Sequence, residues 1–388
     1  MFPGFRSKNP PDAAAALLIT GFLGMLWLPL ADWSFHLDRA PIPNENRALA
    51  TFPALSSEVT DWRGFVSGLD AYYRDHFGFR NRLVRWSNRW KHQWFRESIH
   101  PGVGIGQQGW LFLMGDGILD DYVGRKRFSE QHLEHWRQLL EKRRDWLAQR
   151  GGKYIFVIVP DKHSIYPEYL PSWMVGSPEP NNLDRFFAYM KAHSTVPVVD
   201  LRPSLLEAKK AAPTYFQNDT HWNQYGAFVA YQTVLGTLAA QLPGLKPLTL
   251  EAFDWKFAQQ PGGDLALVLG QASQLIETNV ILLVPLKPGP VVKTVPERLP
   301  KKWKPYTEPI ASQCPEQTGK AIVFRDSFAG DWRPFLGGHF HEVLYIWQHE
   351  WDAAFIEREK PTVVIDEIVE RFFNNTDPVK VLREDSLR

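Results

Sequence analysis

The stretch FQNDTHWNQYGAF, residues 216–228, contains residue types that a proton relay needs. Asp219 and His221 lie two positions apart, just before a segment with helical periodicity. From an irregular loop, the carboxylate can bond to Nδ1 of the imidazole and leave Nε2 free to accept a proton. A capping role is the alternative, because aspartate and threonine are ordinary residues before a helix.

A hydroxyl group that could serve this imidazole occurs later in the chain, in AIVFRDSFAG, residues 321–330. Ser327 follows an apolar run typical of a buried strand. A serine at a strand-to-helix turn exposes its hydroxyl, and its backbone N–H can face a developing oxyanion. An N-cap serine has the same local geometry and no chemistry. Taken together, the two stretches predict a relay in which Ser327 is the nucleophile, His221 the base and Asp219 the orienting acid.

Three other groups of polar residues are weaker candidates. Asp161-Lys162-His163 follows a strand, where Lys162 could orient or neutralise an anionic group. His339 and His341 could be two metal ligands, but no third ligand has a convincing spacing, and we predict no metal site. The glycine-rich residues 102–117 lack the Lys-Ser/Thr ending of a phosphate loop.

Composition excludes several functions. The 388 residues carry a net charge of +1 with both signs mixed throughout, which argues against nucleic-acid binding. The single cysteine, Cys314, excludes an internal disulfide and a thiolate zinc site. The chain contains 16 tryptophans, which are either large core residues or, for some of them, stacking surfaces for sugar rings.

Residues 13–31 form an uncharged apolar run, just long enough at 1.5 Å per residue to cross a hydrocarbon core of about 30 Å. Arg6 and Lys8 precede it, while Asp32 and Asp38 follow, which favours an internal N-terminus and an exported remainder. We expect an uncleaved anchor. A signal peptide cleaved after Ala31, or a buried core helix, is the alternative.

The remaining pattern predicts an α/β fold with a mostly parallel sheet and helices on both faces. We expect an anchor at 1–32, a linker and helical segment at 33–100, and a catalytic domain at 101–388 with an insertion of mixed β structure at about 245–318. Trp62, Phe65, Leu69, Tyr72 and Tyr73 predict an amphipathic helix, with a break at 77–78 before a second helix with a basic face. The expected strands of the domain are 110–114, 153–160, 196–202, 279–286, 321–327, 342–347 and 362–369, and the expected helices are 129–150, 180–193, 224–241, 332–338 and 351–359. In such sheets, chemistry lies at the carboxyl ends of strands.

With these residues assembled, the chain resembles the AlgJ/AlgX family of alginate O-acetyltransferases, whose domain is similar to an SGNH hydrolase. The resemblance rests on ordered matches at residues 45–53, 75–84, 109–113, 160–171, 218–227, 262–266 (GGDLA), 324–328 and 360–371. It implies that Asp219, His221 and Ser327 form the triad. Because acid and histidine precede the serine, it also implies a permuted strand order.

The resemblance further implies an acetyltransferase that modifies an exopolysaccharide such as alginate and needs no cofactor. The donor would be a membrane-bound acyltransferase partner, and the protein would lie in the bacterial inner membrane with its catalytic domain in the periplasm. Trp222, Arg325, Lys162 and Tyr166 lie in the matched motifs and are the candidate substrate-binding residues. No C-terminal carbohydrate-binding module is expected, which makes the chain more similar to the AlgJ type.

One departure from the family pattern is Arg325, which stands where the nucleophile motif usually begins with glycine. Its side chain could crowd the turn or offer a guanidinium to an anionic polysaccharide. Two rival functions therefore stay open. One is a polysaccharide acetyl esterase with the same triad, and the other is a non-catalytic subunit of an exopolysaccharide acetylation machinery.

Overall fold

A computed structural model of the chain describes residues 13–38, 50–53, 62–83, 86, 100–122, 124–174, 180–303, 305–385 and 387. The chain divides into two compact units, residues 1–99 with 267–271, and residues 100–266 with 272–388. Arg6 and Lys8, most of the expected linker, and most of the second basic helix lie outside the described residues.

The first unit contains two long helices, α1 (Ala13–Phe35) and α2 (Trp62–His76). Residues Ala14–Phe35 have a mean hydropathy of 2.0 over their most apolar window, none of which is buried, so that α1 is long and apolar enough to cross a membrane. Helix α2 ends at His76 and a turn follows at 78–79, which confirms the predicted break.

The second unit is organised around a seven-stranded sheet in the order β4-β3-β11-β9-β10-β8-β7. The first five of these strands are parallel, while β8 and β7 are antiparallel at one edge. The predicted mostly parallel sheet is therefore confirmed, with an antiparallel margin that the sequence pattern did not reveal. The strands of the unit are β1 (Val103–Ile105), β2 (Leu111–Leu113), β3 (Lys153–Val159), β4 (Val198–Asp200), β5 (Phe253–Pro261), β6 (Ile276–Pro285), β7 (Val291–Thr294), β8 (Ile310–Gln313), β9 (Lys320–Phe324), β10 (Glu342–Ile346) and β11 (Val363–Val369).

Both faces of the sheet are covered, because successive side chains of a strand point to opposite sides. Ile155 and Val157 of β3 enter one core, and Tyr154 and Phe156 enter the other. The helices of the unit are α3 (Ile118–Tyr122), α4 (Glu130–Ala148), α5 (Lys162–Ile165), α6 (Asn182–His193), α7 (Arg202–Ala208), α8 (Gln224–Ala239), α9 (Asp264–Val268), α10 (Arg333–Leu336), α11 (Ala353–Glu359), α12 (Glu370–Asn375) and α13 (Pro378–Glu384). Residues of α8 pack in the first core, while α4 and α6 contribute to the second.

The region expected as a mixed β insertion has two parts. Strands β5 and β6 pair only with each other, as a long antiparallel ribbon. The apolar run at 279–286 therefore lies in this ribbon rather than in the main sheet. Strands β7 and β8 instead extend the main sheet at its antiparallel edge.

Three parallel strands deliver polar residues to the same edge of the sheet. Asp161 follows β3, Ser327 follows β9, and Glu370 follows β11. Because the carboxyl ends of parallel strands meet at one edge, this arrangement places the nucleophile candidate where α/β proteins commonly bind ligands.

Candidate active site

Asp219, His221 and Ser327 lie together in one chain of hydrogen bonds. Nδ1 of His221 is 2.7 Å from Oδ1 of Asp219, and Nε2 is 2.7 Å from Oγ of Ser327. The backbone N–H of His221 also donates to Asp219 Oδ1 at 2.9 Å, which fixes the acid against its own loop. With Nδ1–H donating to the carboxylate, Nε2 is left as the acceptor for the serine proton.

Neither Asp219 nor Ser327, the two ends of this series of hydrogen bonds, caps a helix. Asn223 caps α8, since its side-chain oxygen accepts the N–H of Gly226 at 3.0 Å. Ser327 precedes the 3₁₀ turn Phe328–Trp332, but its side chain makes no cap bond. The N–H of Phe328 donates instead to Asp326 Oδ1 at 3.0 Å. The capping alternatives considered for both stretches therefore do not apply.

The turn that carries Ser327 is fixed by its neighbour Asp326. The other oxygen of this fully buried carboxylate accepts the N–H of Val369 at 2.6 Å. The N–H of Asp326 in turn donates to Glu367 Oε2 at 3.0 Å. These bonds tie the end of β9 to the end of β11, so that the serine is held by two central strands of the sheet.

Arg325 is buried beside the turn that carries Ser327. It is 5% exposed, and Nη1 donates to the backbone oxygen of Asp326 at 2.6 Å. Nη2 reaches Thr307 Oγ1 at 3.3 Å, and the guanidinium lies 5.4 Å from the ring centre of Trp347. The guanidinium packs beside the serine turn, where a Cβ atom on Gly330 would lie 3.6 Å from Nη1, and its burial keeps it from contact with a polymer. Its surroundings are those of a buried structural arginine.

Lys162 is also buried, at 2% exposure. Its ammonium donates to the backbone oxygens of Asp219, Phe216 and Gln217 at 2.6, 3.1 and 3.2 Å. This lysine therefore holds the catalytic loop from below, and it does not face a substrate. Burial lowers its pKa to about 8, against the opposing effect of Asp219 and other nearby carboxylates.

The two aromatic candidates for substrate binding are core residues. Trp222 is fully buried, with its ring centre 5.1 Å from that of Phe328 and 5.9 Å from that of Trp332. Tyr166 is buried and its hydroxyl accepts the N–H of Thr214 at 2.8 Å. All four candidate substrate-binding residues thus support the site from behind, because the burial of their side chains removes them from any surface that a sugar could contact.

A second carboxylate, Asp264, lies beside the histidine and was not assigned a role from the sequence. Its Oδ1 accepts the N–H of Thr220 at 2.7 Å, and its Oδ2 accepts the hydroxyl of Thr220. Oδ2 is also 3.6 Å from Nδ1 of His221. The GGDLA stretch at 262–266 was the available signal, since its glycines imply a close backbone approach.

That close approach is made by Gly263. A Cβ atom at this position would lie 1.8 Å from Oδ2 of Asp219, well inside any allowed contact. The missing side chain lets the N–H of Asp264 donate to the same oxygen at 3.0 Å. Asp219 therefore receives hydrogen bonds on both oxygens and is held in one orientation.

The electrostatics of the site follow from these contacts. Burial alone would raise the pKa of Asp219, but the hydrogen bond and charge of His221 outweigh burial and hold this pKa well below its ordinary value. For His221, burial alone would lower the pKa, and the hydrogen bond and charge of Asp219 raise it above 6.5. Burial and the neighbouring Asp219 raise the pKa of Asp264.

Asp219, His221 and Asp264 also form the one cluster among the described residues whose ligand atoms lie close enough together to hold a metal ion, within 4.8 Å. The same atoms are already joined to each other and to Thr220 by hydrogen bonds. A cation would have to displace the proton on Nδ1, so the donor set suits a proton relay better than a metal. His339, a weak metal candidate, bonds instead to the hydroxyl of Tyr231 at 2.5 Å.

Part of the chain is similar to a known protein family and to known proteins. Residues 103–280 match the family model described as "SGNH hydrolase-like domain, acetyltransferase AlgX". The probable alginate O-acetylase AlgJ of Pseudomonas syringae pv. tomato is 29% identical over 230 residues, which are 58% of this chain and 53% of that protein. The AlgJ of Pseudomonas aeruginosa is 28% identical over 227 residues, 58% of this chain and 51% of that protein.

The chain thus spans about half the length of the curated relatives that it matches. Among solved structures, PatB1 of Bacillus cereus with a sulfonyl adduct aligns with a TM-score of 0.54 and 14% identity, over 71% of this chain and 96% of that one. This likeness supports the fold. The family match covers a little less than half of the chain, so residues 103–280 are similar to the SGNH hydrolase-like domain of the acetyltransferase AlgX.

Proposed function

We propose that this protein is a membrane-anchored O-acetyltransferase that transfers acetyl groups to hydroxyls of an exopolysaccharide. The observation that carries the proposal is His221, whose two ring nitrogens lie 2.7 Å from Asp219 and 2.7 Å from Ser327. The similarity to proteins named alginate O-acetylases supports acetyl as the group and a uronic-acid polymer such as alginate as the acceptor.

In the first half of the reaction, Oγ of Ser327 attacks the carbonyl carbon of the acyl donor while Nε2 of His221 takes the hydroxyl proton. The backbone N–H of Ser327 is the donor that we assign to the resulting oxyanion. When the intermediate collapses, the bond to the leaving group breaks, and the leaving group takes the proton from His221. The product is an acetyl ester on Ser327.

In the second half, a sugar hydroxyl gives its proton to Nε2 of His221 and attacks the acetyl-serine carbonyl. Collapse breaks the ester bond to Ser327, and the imidazolium returns its proton to the serine oxygen. Throughout, Asp219 keeps Nδ1 protonated and stabilises the positive ring. The first half exchanges the bond between the acyl carbon and the donor's leaving group for an ester bond to Ser327, and the second half exchanges that ester bond for one to the sugar, so no oxidant or reductant is needed.

Helix α1 indicates where in the cell this reaction would take place. Helix α1 could hold the protein at the inner membrane with the catalytic unit in the periplasm, and a membrane-bound acyltransferase would then supply the acetyl group from the other side. The burial of Arg325 supports a working enzyme over a non-catalytic subunit, because its guanidinium is bound to the backbone oxygen of Asp326 while Ser327 keeps its contact with His221.

The first experiment labels the purified full-length protein with a serine-directed acylating probe and maps the modified residue. Modification of Ser327, and its absence from a Ser327→Ala variant, is the expected result. The matched control is Ser67→Ala, which removes an exposed serine hydroxyl far along the chain. Labelling at any residue other than Ser327 would contradict the mechanism.

A second experiment separates transfer from hydrolysis. The protein is given a soluble acetyl ester with and without a polyuronate oligosaccharide, and acetate and acetylated sugar are both quantified. We expect the acceptor to divert acetyl groups from water in a concentration-dependent way. If water takes essentially all the acetyl at high acceptor concentration, the protein is an esterase with the same triad.

A further inference from the structure

Helix α2 leaves an apolar stripe uncovered. Trp62, Val66, Leu69 and Tyr73 follow one another at helical spacing, and their side chains are between 40% and 64% exposed. Beside the stripe, Arg74 pairs with Asp70 at 2.6 Å, and Asp70 also borders the groove described below. Four large apolar or aromatic side chains in line are more than single scattered surface residues, and they indicate an interaction surface.

The flank of α2 next to this stripe is already occupied by residues 50–53. Gly68 packs against Pro53, and the ring of Phe52 meets that of Tyr72 edge-on at 5.2 Å. The N–H of Ala50 donates to the carboxylate of Asp75 at 2.8 Å. This segment therefore covers one side of the helix and leaves the stripe open.

The corner that follows α2 is fastened to the end of α1. The N–H of Phe79 donates to Oδ2 of Asp32 at 2.7 Å. Gly78 lies so close to α1 that a Cβ atom there would be 2.1 Å from the backbone oxygen of Pro29. Beyond the corner, Arg82 pairs with Asp38 at 3.2 Å. The charged residues Asp32, Asp38 and Arg82 thus lie at the end of the apolar part of α1.

An apolar groove of about 670 Å³ separates the two helices. Its walls include Met25, Leu26 and Leu30 of α1, and Leu69 and Tyr73 of α2. From Met25 to the first acidic residue, Asp32, α1 rises by about 10 Å at 1.5 Å per residue. Amphipathic helices that lie on membranes bury their apolar face by about 5–10 Å, so the depths agree.

We propose that α2 is a membrane-interface helix, and that lipid acyl chains fill the groove and cover the stripe. The inference rests on the membrane anchoring proposed above. One wall of the groove is the surface of α1, which a bilayer would cover in any case. Trp62 and Tyr73 have the apolar ring and polar tip that suit the boundary between headgroups and acyl chains. The occupant that we assign is therefore the bilayer, rather than a second copy or a partner protein.

The test uses spin labels on the full-length protein in proteoliposomes. In a Cys314→Ser background, single cysteines replace Val66 on the stripe, Ser67 on the adjacent polar side and Gly24 of α1, which has open space around it. Collision of each label with oxygen, which enters the bilayer, is compared with collision with a water-soluble nickel chelate. We expect an oxygen-to-nickel ratio several-fold higher at position 66 than at position 67, and highest at position 24.

Each alternative result has one meaning. If label 24 lies in lipid while labels 66 and 67 are both exposed to the nickel chelate, the anchor holds and the interface helix is disproved. If label 66 is shielded from both reagents, protein covers the stripe and the lipid assignment is wrong. If label 24 is exposed to nickel, α1 does not span the bilayer and the anchoring fails together with this inference, while the acyl-transfer chemistry is untouched.

Discussion

The chain contains two Asp-x-His sequences at the same edge of its sheet, and among the described residues only one of them forms a hydrogen-bonded chain that ends at a serine. His221, two residues after Asp219, has a side chain that is 27% exposed and hydrogen-bonded on both ring nitrogens. His163, two residues after Asp161, is 3% exposed, and neither ring nitrogen makes a hydrogen bond of ordinary geometry with the described residues. The same spacing therefore yields one partly exposed imidazole that is hydrogen-bonded on both ring nitrogens and one buried imidazole without such bonds.

The backbone explains the difference. Asp219 and His221 lie in an irregular loop, where the carboxylate can bend back to both the N–H and the ring of the histidine. His163 lies inside helix α5, and its acid is engaged elsewhere, since Oδ1 of Asp161 accepts Nη1 of Arg371 at 2.6 Å. Burial and the charge of Lys162 lower the pKa of His163 to about 3, so this ring stays neutral at any physiological pH.

The largest expected effect separates the two histidines directly. His221→Ala should lower kcat for acetyl transfer by about 10⁴-fold or more, because a relay without its base keeps only binding and oxyanion stabilisation. His163→Phe should leave kcat within about twofold, since a buried neutral ring is exchanged for an apolar one of similar shape. Steady-state rates with an acetyl ester and an oligosaccharide acceptor would measure both.

This comparison fails if His163→Phe loses as much activity as His221→Ala while its circular dichroism and melting curve stay normal. Such a result would give His163 a part in the chemistry. If His163→Phe loses as much activity because it unfolds, the two histidines are compared with a second substitution, His163→Met. This variant is measured in the same assay.

The second prediction separates the two acids. In the native protein, kcat/KM should rise with pH and level off above an inflection higher than 6.5, because Asp219 raises the pKa of His221 and only the neutral ring accepts the serine proton. Asp219→Asn should lower the plateau by about 10³- to 10⁴-fold and move the inflection to lower pH. A pH–rate profile measures both effects.

Asp161→Asn is the matched control. It removes one partner of a buried ion pair with Arg371, so the free energy of unfolding should fall by about 3 kcal/mol while the inflection of the pH profile stays in place. If the inflection of the pH–rate profile shifts in Asp161→Asn, then Asp161 as well as Asp219 influences the titration of the catalytic base.

The sequence predicted the sheet and the proximity of Asp219, His221 and Ser327, for reasons that lie in particular residues. Uninterrupted β-branched runs such as residues 153–159 have few alternatives to a strand buried on both faces. The relay was predictable because its acid and base are neighbours in one loop. The burial of Lys162 and Trp222 was not predictable, because their motif membership does not reveal which side of the loop faces solvent.

Asp264 could not be placed from the sequence for a different reason. Its position beside His221 depends on how the end of the β5–β6 ribbon packs against the loop of Asp219. The glycines of GGDLA indicate a close backbone approach, but they do not indicate which loop is approached. The same holds for β7 and β8, whose addition to the main sheet depends on pairing with strands far away in the sequence.

The third prediction concerns Lys162, which lies between Asp161 and His163 in the sequence. Lys162→Met would leave the backbone oxygens of Phe216, Gln217 and Asp219 without their buried donor, which should cost about 2–3 kcal/mol in the free energy of unfolding. Chemical denaturation measures this cost. Lys153→Met, an exposed lysine on β3, should change it by less than about 0.5 kcal/mol. If both variants lose the same small amount of unfolding free energy, the loop at residues 216–219 does not depend on Lys162 for its stability.

The smallest effect is expected at Asp264. Asp264→Asn keeps the shape beside Thr220 and removes one charge, so kcat should fall by about tenfold or less, because Asp219 retains the direct bond to Nδ1. Asp254→Asn, an exposed acid on β5, is the control and should have no effect. A loss at Asp264 as large as that of Asp219→Asn would make it an equal partner in the relay.

The strand order of the sheet also determines when this protein can fold. Strand β11 is the last of the described strands to be synthesised, yet it lies between β3 and β9 in the interior of the sheet. During vectorial synthesis or export, β3 can pair early with β4, but more than half of the domain must follow before β11 fills its other side. Ser327 also meets His221 late, because the two residues are far apart in the chain. The nascent chain therefore keeps one edge of an apolar strand open for a long time, which is the condition under which holding chaperones protect a chain from aggregation. Folding and activity should appear together, at release rather than during elongation.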